Sequence, residues 1–147
     1  MQQTPDSSLT ITANEISRDF PFRAEVLVDV RRMVEDAASQ TSLDRGAIDD
    51  LLTAVDEAAA NAIRHGSPVA GSDARLRVIC FRSPDSLGVK IRDFGKGFAV
   101  PQTPTMPSPD AMGGRGLPLM VALADSVAIA STLKGTTVTL IKGKLPG

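Results

Sequence analysis

The stretch that most limits what this chain can become runs from Val55 to Gly66, Val-Asp-Glu-Ala-Ala-Ala-Asn-Ala-Ile-Arg-His-Gly. It sets an acid, an amide and an imidazole four residues apart, at Glu57, Asn61 and His65, and stops at a glycine. Residues four apart lie on one side of an α-helix, each turned about 40° from the last. Ile48, Leu51, Leu52, Val55, Ala59, Ala62 and Ile63 follow the i, i+3, i+4, i+7 stripe of a core-facing helix. The spacing predicts a helix from about Asp44 to Arg64, with Gly66 as its stop. Glu57 falls roughly 180° and Asn61 roughly 220° around that helix from Ile48. The polar ladder is therefore expected to look away from the packing stripe. Taken alone, it reads as a solvated face.

Length and composition narrow the setting. A chain of 147 residues holds one domain with a proper core and is too short for two comfortable ones. With 42% hydrophobic and 22% charged residues it should fold. Sixteen basic against seventeen acidic residues, a net charge of −1, argue against a nucleic-acid partner, which needs a basic excess on one face. The single cysteine, Cys80, sits in an alternating apolar segment and is expected to be buried and inert, with no intramolecular disulfide. Met1 to Thr10 lacks the apolar core of a signal peptide. The run Gly116 to Ala130 is broken by Asp125 and too short to span a bilayer. The expectation is a soluble, cytoplasmic protein with no membrane partner.

Along the chain, residues 1–8 are polar and expected to fray, leaving 9–147 as one domain. Leu9 and Ile11 alternate with Thr10 and Thr12 as a first strand, and Asp19-Phe20-Pro21 reads as a turn. A helix is expected from about Phe22 to Ala38, with Leu27, Val30, Val34 and Ala37 or Ala38 on one face. Ser67 to Asp73 is a connection. Arg75 to Arg82 and Val89 to Arg92 alternate about a Ser-Pro-Asp-Ser turn and read as a hairpin that ends in Asp93-Phe94-Gly95-Lys96-Gly97. Pro101, Pro104, Pro107 and Pro109 forbid regular structure, so about 98–113 is expected to be a lid over a site. A short helix from Leu117 to about Ala124 and a last hairpin, Val127 to Leu133 with Thr136 to Ile141, complete the chain. Hairpins segregated from helices give an α+β fold, a two-layer sandwich with one sheet covered by helices on one face.

The chemistry lies in the order of the elements. Glycines at 95 and 97 and at 114 and 116 permit tight turns and close backbone approach to a ligand. Gly114-Arg115-Gly116 also feeds a helix N-terminus, where free amides favour phosphate, and Arg115 adds a side-chain contact to phosphate oxygens. Asp93 can accept a hydrogen bond from an exocyclic amine. Asn61 offers a neutral oxygen of the kind Mg²⁺ accepts while keeping waters. Glu57 is placed one turn earlier to orient or deprotonate a nucleophile. Each element is weak alone; the sequence of all of them is not.

In that order they resemble the Bergerat-fold (GHKL) ATP-binding family. Glu57-x-x-x-Asn61-x-x-x-His65-Gly66 is similar to its N box, Asp93-x-Gly95-x-Gly97 to its first glycine box, and Gly114-x-Gly116-Leu117 to its second. Gly135-Thr136-Thr137-Val138 resembles the terminal strand motif that closes the adenine pocket. Within the superfamily the chain most resembles the small anti-sigma-factor serine kinases, over residues 9–142. The resemblance implies a mixed, mainly antiparallel sheet and ATP with Mg²⁺ as cofactors. It makes Asn61 the metal ligand and Glu57 the general base acting on a serine of a STAS-domain anti-sigma-factor antagonist. Asp93 would accept from the adenine amino group and Gly97 would shape the adenine side. Gly114, Arg115 and Gly116 would face the phosphates, and Thr137 would line the base pocket. His65 is read as a helix-end residue or a ligand contact. A sigma factor and a second copy of the chain are further partners that the family implies.

Two departures keep a rival reading in view. No Lys or Arg lies between Phe98 and Met112, which leaves Lys96, Arg115 and the metal to balance a triphosphate. A nucleotide-gated module that sequesters its partner, with little transfer, is the alternative. A sensor histidine kinase is disfavoured because the only histidine, His65, lies inside the N box. Larger DNA-repair and chaperone relatives need a following domain.

Overall fold

The computed structural model describes residues 9–11, 14–65, 75–94, 116–132 and 135–143. Two short strands come first, β1 (Leu9–Ile11) and β2 (Glu15–Pro21), then a 3₁₀ turn at Ala24–Val26. Helices α1 (Leu27–Ala38) and α2 (Arg45–His65) follow, and then the hairpin β3 (Arg75–Ser83) and β4 (Ser86–Asp93). Helix α3 (Gly116–Leu123) and the hairpin β5 (Ser126–Thr132) and β6 (Gly135–Gly143) complete the order. The strands form one six-stranded sheet in the order β1-β2-β3-β4-β6-β5. The helices pack on one face of it, as the two-layer α+β expectation required. A mixed, mainly antiparallel sheet was expected; among the described residues every pairing is antiparallel.

Periodicity explains most of these elements. In β3, Leu76, Val78 and Cys80 point into the core, and in β4 Leu87, Val89 and Ile91 do the same. They meet Leu51, Leu52 and Val55 of α2, Val30 and Val34 of α1, and Met120 of α3. Each such side chain, fully buried, contributes about 1.5–3 kcal/mol. Helix α2 is started by Asp44, whose Oδ1 accepts the Ala47 amide at 2.8 Å. That cap satisfies one of the helix's unpaired donors. On the helix-free face, Phe81 lies across Gly88, where a Cβ would come within 2.1 Å of the ring. The ring takes the space a side chain would need.

Strand β2 corrects the turn expected at Asp19-Phe20-Pro21. Its residues show no clean apolar alternation, so local pattern gives it away poorly. The strand is held by tertiary pairing, from Glu15 opposite Phe81 to Pro21 opposite Arg75. Proline is accommodated there at an edge of the sheet, since β1 pairs only with Ile16 to Arg18 and does not reach Pro21. Asp19 is fixed by Arg77, whose Nε and Nη2 donate to it at 2.7 and 3.0 Å. Helix α1 likewise begins at Leu27 rather than Phe22, because the chain first makes the 3₁₀ turn.

Surface ion pairs join the helices: Arg31 to Asp56 at 2.5 Å between α1 and α2, and Arg45 to Glu35 at 2.9 Å. These pairs are roughly half exposed, so each is worth under about 1 kcal/mol. Lys142 is more buried. Its Nζ donates to the Leu123 carbonyl at 2.7 Å and lies 3.5 Å from Asp50, joining β6, α3 and α2. No helix among the described residues is long and apolar enough to cross a membrane.

Cys80 gives a direct check on this core. Burial pushes its thiol up to about 12, so the reactive thiolate is scarce at neutral pH. We expect no labelling by a thiol reagent in the native state at pH 7 and complete labelling in denaturant. Fast native labelling would show that β3 does not pack as described.

Candidate functional site

Three tethers decide which element ends come together. The Ser42 amide donates to the Pro84 carbonyl at 2.8 Å, so the start of α2 lies beside the turn between β3 and β4. Asn61 is then about 24 Å up the helix from Arg45, and Asp93 about 23 Å up its strand from Ser86. The two run alongside each other, since α2 packs on β4 and β6. Strand β6 begins at the same level, because Ser86 pairs with Gly143 and Arg92 with Thr137. Helix α3 points the same way in reverse: its last carbonyl meets Lys142, and the Asp125 amide donates to Ile141 at 2.8 Å. Its N-terminus at Gly116 therefore faces the end where Asn61, Asp93 and Gly135 lie. The free amides of that first turn and the helix dipole favour an anion there.

Asn61 departs from the solvated position expected of it. It is only 3% exposed. Helix α2 is enclosed by β4, β6, α1 and α3 together, so one packing stripe does not describe its surroundings. Its Oδ1 accepts a hydrogen bond from Arg64 Nη2. Its Nδ2 is buried with no hydrogen-bond partner among the described residues. Such a donor costs free energy until an acceptor arrives.

Glu57, one turn earlier, is partly buried and lies next to Asp56. Burial pushes the Asp56 carboxyl up, Arg31 opposes that, and the Glu57 charge adds to the rise. Asp93 is 4% exposed and continues the inward phase of Leu87, Val89 and Ile91. Strand β6 is fitted to it closely. A Cβ on Gly135 would sit 2.0 Å from the Asp93 carbonyl oxygen and 3.1 Å from Phe94 Cα. Gly135 also has φ +135°, a conformation essentially reserved for glycine.

The two threonines that follow part company. Thr137 is opposite Arg92 and so faces the helix-free side, away from Asp93 and the core. Thr136 faces inward, 4% exposed, with its hydroxyl 2.9 Å from Ser131 Oγ. Thr136 and Arg64 are thus polar residues of the candidate site that the sequence reading did not single out. Both carried a signal: Thr136 is in phase with inward Val138 and Leu140, and Arg64 is three residues from Asn61 on one helix. Gly116 and Leu117 open α3. Gly95, Gly97, Gly114 and Arg115, together with the expected lid at about 98–113, lie outside the described residues. For His65, the helix end is described and the side chain is not.

The donor set fits a nucleotide with its metal. The Asn61 oxygen keeps a second lone pair beside the Arg64 contact, and its orphaned amide nitrogen suits a phosphate oxygen. No group of three His, Cys, Asp or Glu suited to a metal occurs among the described residues. A Mg²⁺ held by one amide oxygen, phosphates and waters needs no such cage.

The family model that matches is the histidine kinase-like ATPase domain, over residues 20–142. Among solved structures, the RsbU and RsbW domains of Rv1364c from Mycobacterium tuberculosis share the fold, with a TM-score of 0.65 at 19% identity. The match covers 89% of this chain and 33% of that one, so the chain spans about a third of its length. No curated protein matches.

The contact between Gly135 and Asp93 is open to test. Gly135→Ala should lower stability by about 1–3 kcal/mol, through strain and the clash with the Asp93 carbonyl. It should weaken ATP binding as well. Urea unfolding and nucleotide titration read the two effects; an unchanged denaturation midpoint would count against the close packing.

Proposed function

The chain belongs to the histidine kinase-like ATPase family, and on that premise we propose that it is an anti-sigma-factor-type serine protein kinase. It would bind Mg-ATP and phosphorylate a serine of a STAS-domain anti-sigma-factor antagonist, controlling a sigma factor by partner switching. The observation that carries the reading is buried Asn61, with an orphaned amide donor, at the end where Asp93, Thr136 and the N-terminus of α3 also lie.

Bound ATP would supply the phosphoryl group. Asp93 accepts from the adenine amino group, and Thr136 adds a hydroxyl on the same side. Asn61 would hold Mg²⁺ through its oxygen, and its unpartnered amide nitrogen would donate to a phosphate oxygen. Arg64, on the same helix, brings positive charge next to that oxygen, in a chain whose segment 98–112 has no basic residue. The amides at the start of α3, with Gly114 and Arg115 before it, receive phosphate oxygens. Glu57 would take the proton of the serine hydroxyl as its oxygen attacks the γ-phosphorus, while the bond from that phosphorus to the β,γ-bridging oxygen breaks and ADP leaves. Phosphoryl transfer depends mainly on such positioning and charge neutralisation.

Incubating the purified chain with labelled ATP and a STAS-domain antagonist tests the reading. Glu57→Ala should keep ATP binding and lower transfer by about 10²–10⁴-fold. Undiminished transfer would remove Glu57 from the base role. Asn61→Ala should abolish the Mg²⁺-dependent part of nucleotide affinity. The lack of basic residues in 98–112 favours a second reading, a nucleotide-gated module that sequesters its partner; ATP-dependent capture without label on the partner is its signature.

A further inference from the structure

Asn61 gives its side-chain oxygen to a cation of the chain's own. Arg64, in the last turn of α2 and exposed, donates through Nη2 to Asn61 Oδ1. A guanidinium has donors and no acceptor, so the amide atom that faces it is the oxygen. The amide is planar, and its nitrogen is thereby turned the other way, where Nδ2 is buried with no hydrogen-bond partner among the described residues. Arg64 therefore fixes which way the Asn61 amide faces. Residues three apart on a helix are neighbours, so α2 makes this contact without help from another element.

The same oxygen is the one assigned above to Mg²⁺. Its second lone pair leaves room for another partner, but two cations on one oxygen repel each other. An oxygen that already accepts from a guanidinium is also a poorer ligand to a metal. We propose that Arg64 is a positioning residue that competes with the divalent cation for the Asn61 oxygen. It presets the amide, oxygen towards Arg64 and nitrogen inward, and releases the oxygen when Mg²⁺ binds. Arg64 thereby sets how strongly nucleotide affinity depends on the metal. The inference rests on the Mg-ATP reading of the site. Release disturbs no packing, because Asn61 is the buried member of the pair and Arg64 the exposed one.

Calorimetric titration of ATP, with Mg²⁺ and with a chelator, tests the competition. The quantity compared is the dissociation constant with chelator divided by that with Mg²⁺. Arg64→Met keeps an unbranched stem and removes the charge. It should raise the ratio about tenfold, because a charge-assisted hydrogen bond no longer opposes the metal. Arg64→Lys should keep the ratio near its wild-type value. A residue that only touched phosphate would weaken both affinities alike, so an unchanged or lower ratio in Arg64→Met would overturn the proposal. A wild-type affinity indifferent to Mg²⁺ would instead remove the metal reading of Asn61, and the competition with it. A second readout needs no nucleotide. In the ¹⁵N-labelled chain alone, Arg64→Met should move the Asn61 side-chain amide signal. A signal left in place would show that the pair does not form, and the proposal would fall while the Mg-ATP reading stood.

Discussion

A carboxylate in phase with a hydrophobic strand is the constraint on which the rest depends. Leu87, Val89 and Ile91 must face the helices to make the core, and the two-residue period then carries Asp93 inward as well. Burying a carboxylate is costly unless its surroundings supply polar partners. Three of the four buried polar side chains among the described residues gather at that end of the sandwich: with Asp93, Asn61 at the end of α2 and Thr136 at the start of β6 are buried, while Ser86 is buried at the other end of β4. The site is the place where a continuous apolar core gives way to polar atoms at the open end of the sheet.

How much of this was legible depended on whether a signal was local. The long helix, both hairpins and the short apolar helix were legible because period and punctuation coincide in each. Strand β2 was not, since Glu15 to Pro21 carries no alternation and is held by pairing with β3 and by Asp19 with Arg77. Asn61 was found by spacing but misjudged in exposure, because a helix enclosed by several elements has no single buried stripe. Thr137 was named on motif alone; counting back by twos from Val138 shows that Thr136 is the threonine in the inward phase. The family itself was legible from the order of the motifs and agrees with the match over 20–142.

Stability and function draw on different parts of the molecule. The contacts that hold the fold are apolar and central, and the ion pairs that bridge α1 and α2 are exposed and weak. Lys142 is the exception, a partly buried cation that fixes the end of the sandwich farthest from the site. Anchoring at that end sets the direction of α2, β4, β6 and α3, and so the relative placement of their other ends.

Arg92, Asp93 and Phe94 are consecutive, yet they serve two faces of one sheet. Their alternation makes this stretch intolerant of a change in length. Deleting or inserting one residue within β4 would turn Asp93 outward and draw Arg92 into the apolar layer. Variation along this strand must therefore proceed by exchange of side chains. Loops elsewhere in the chain can grow or shrink without inverting the two surfaces.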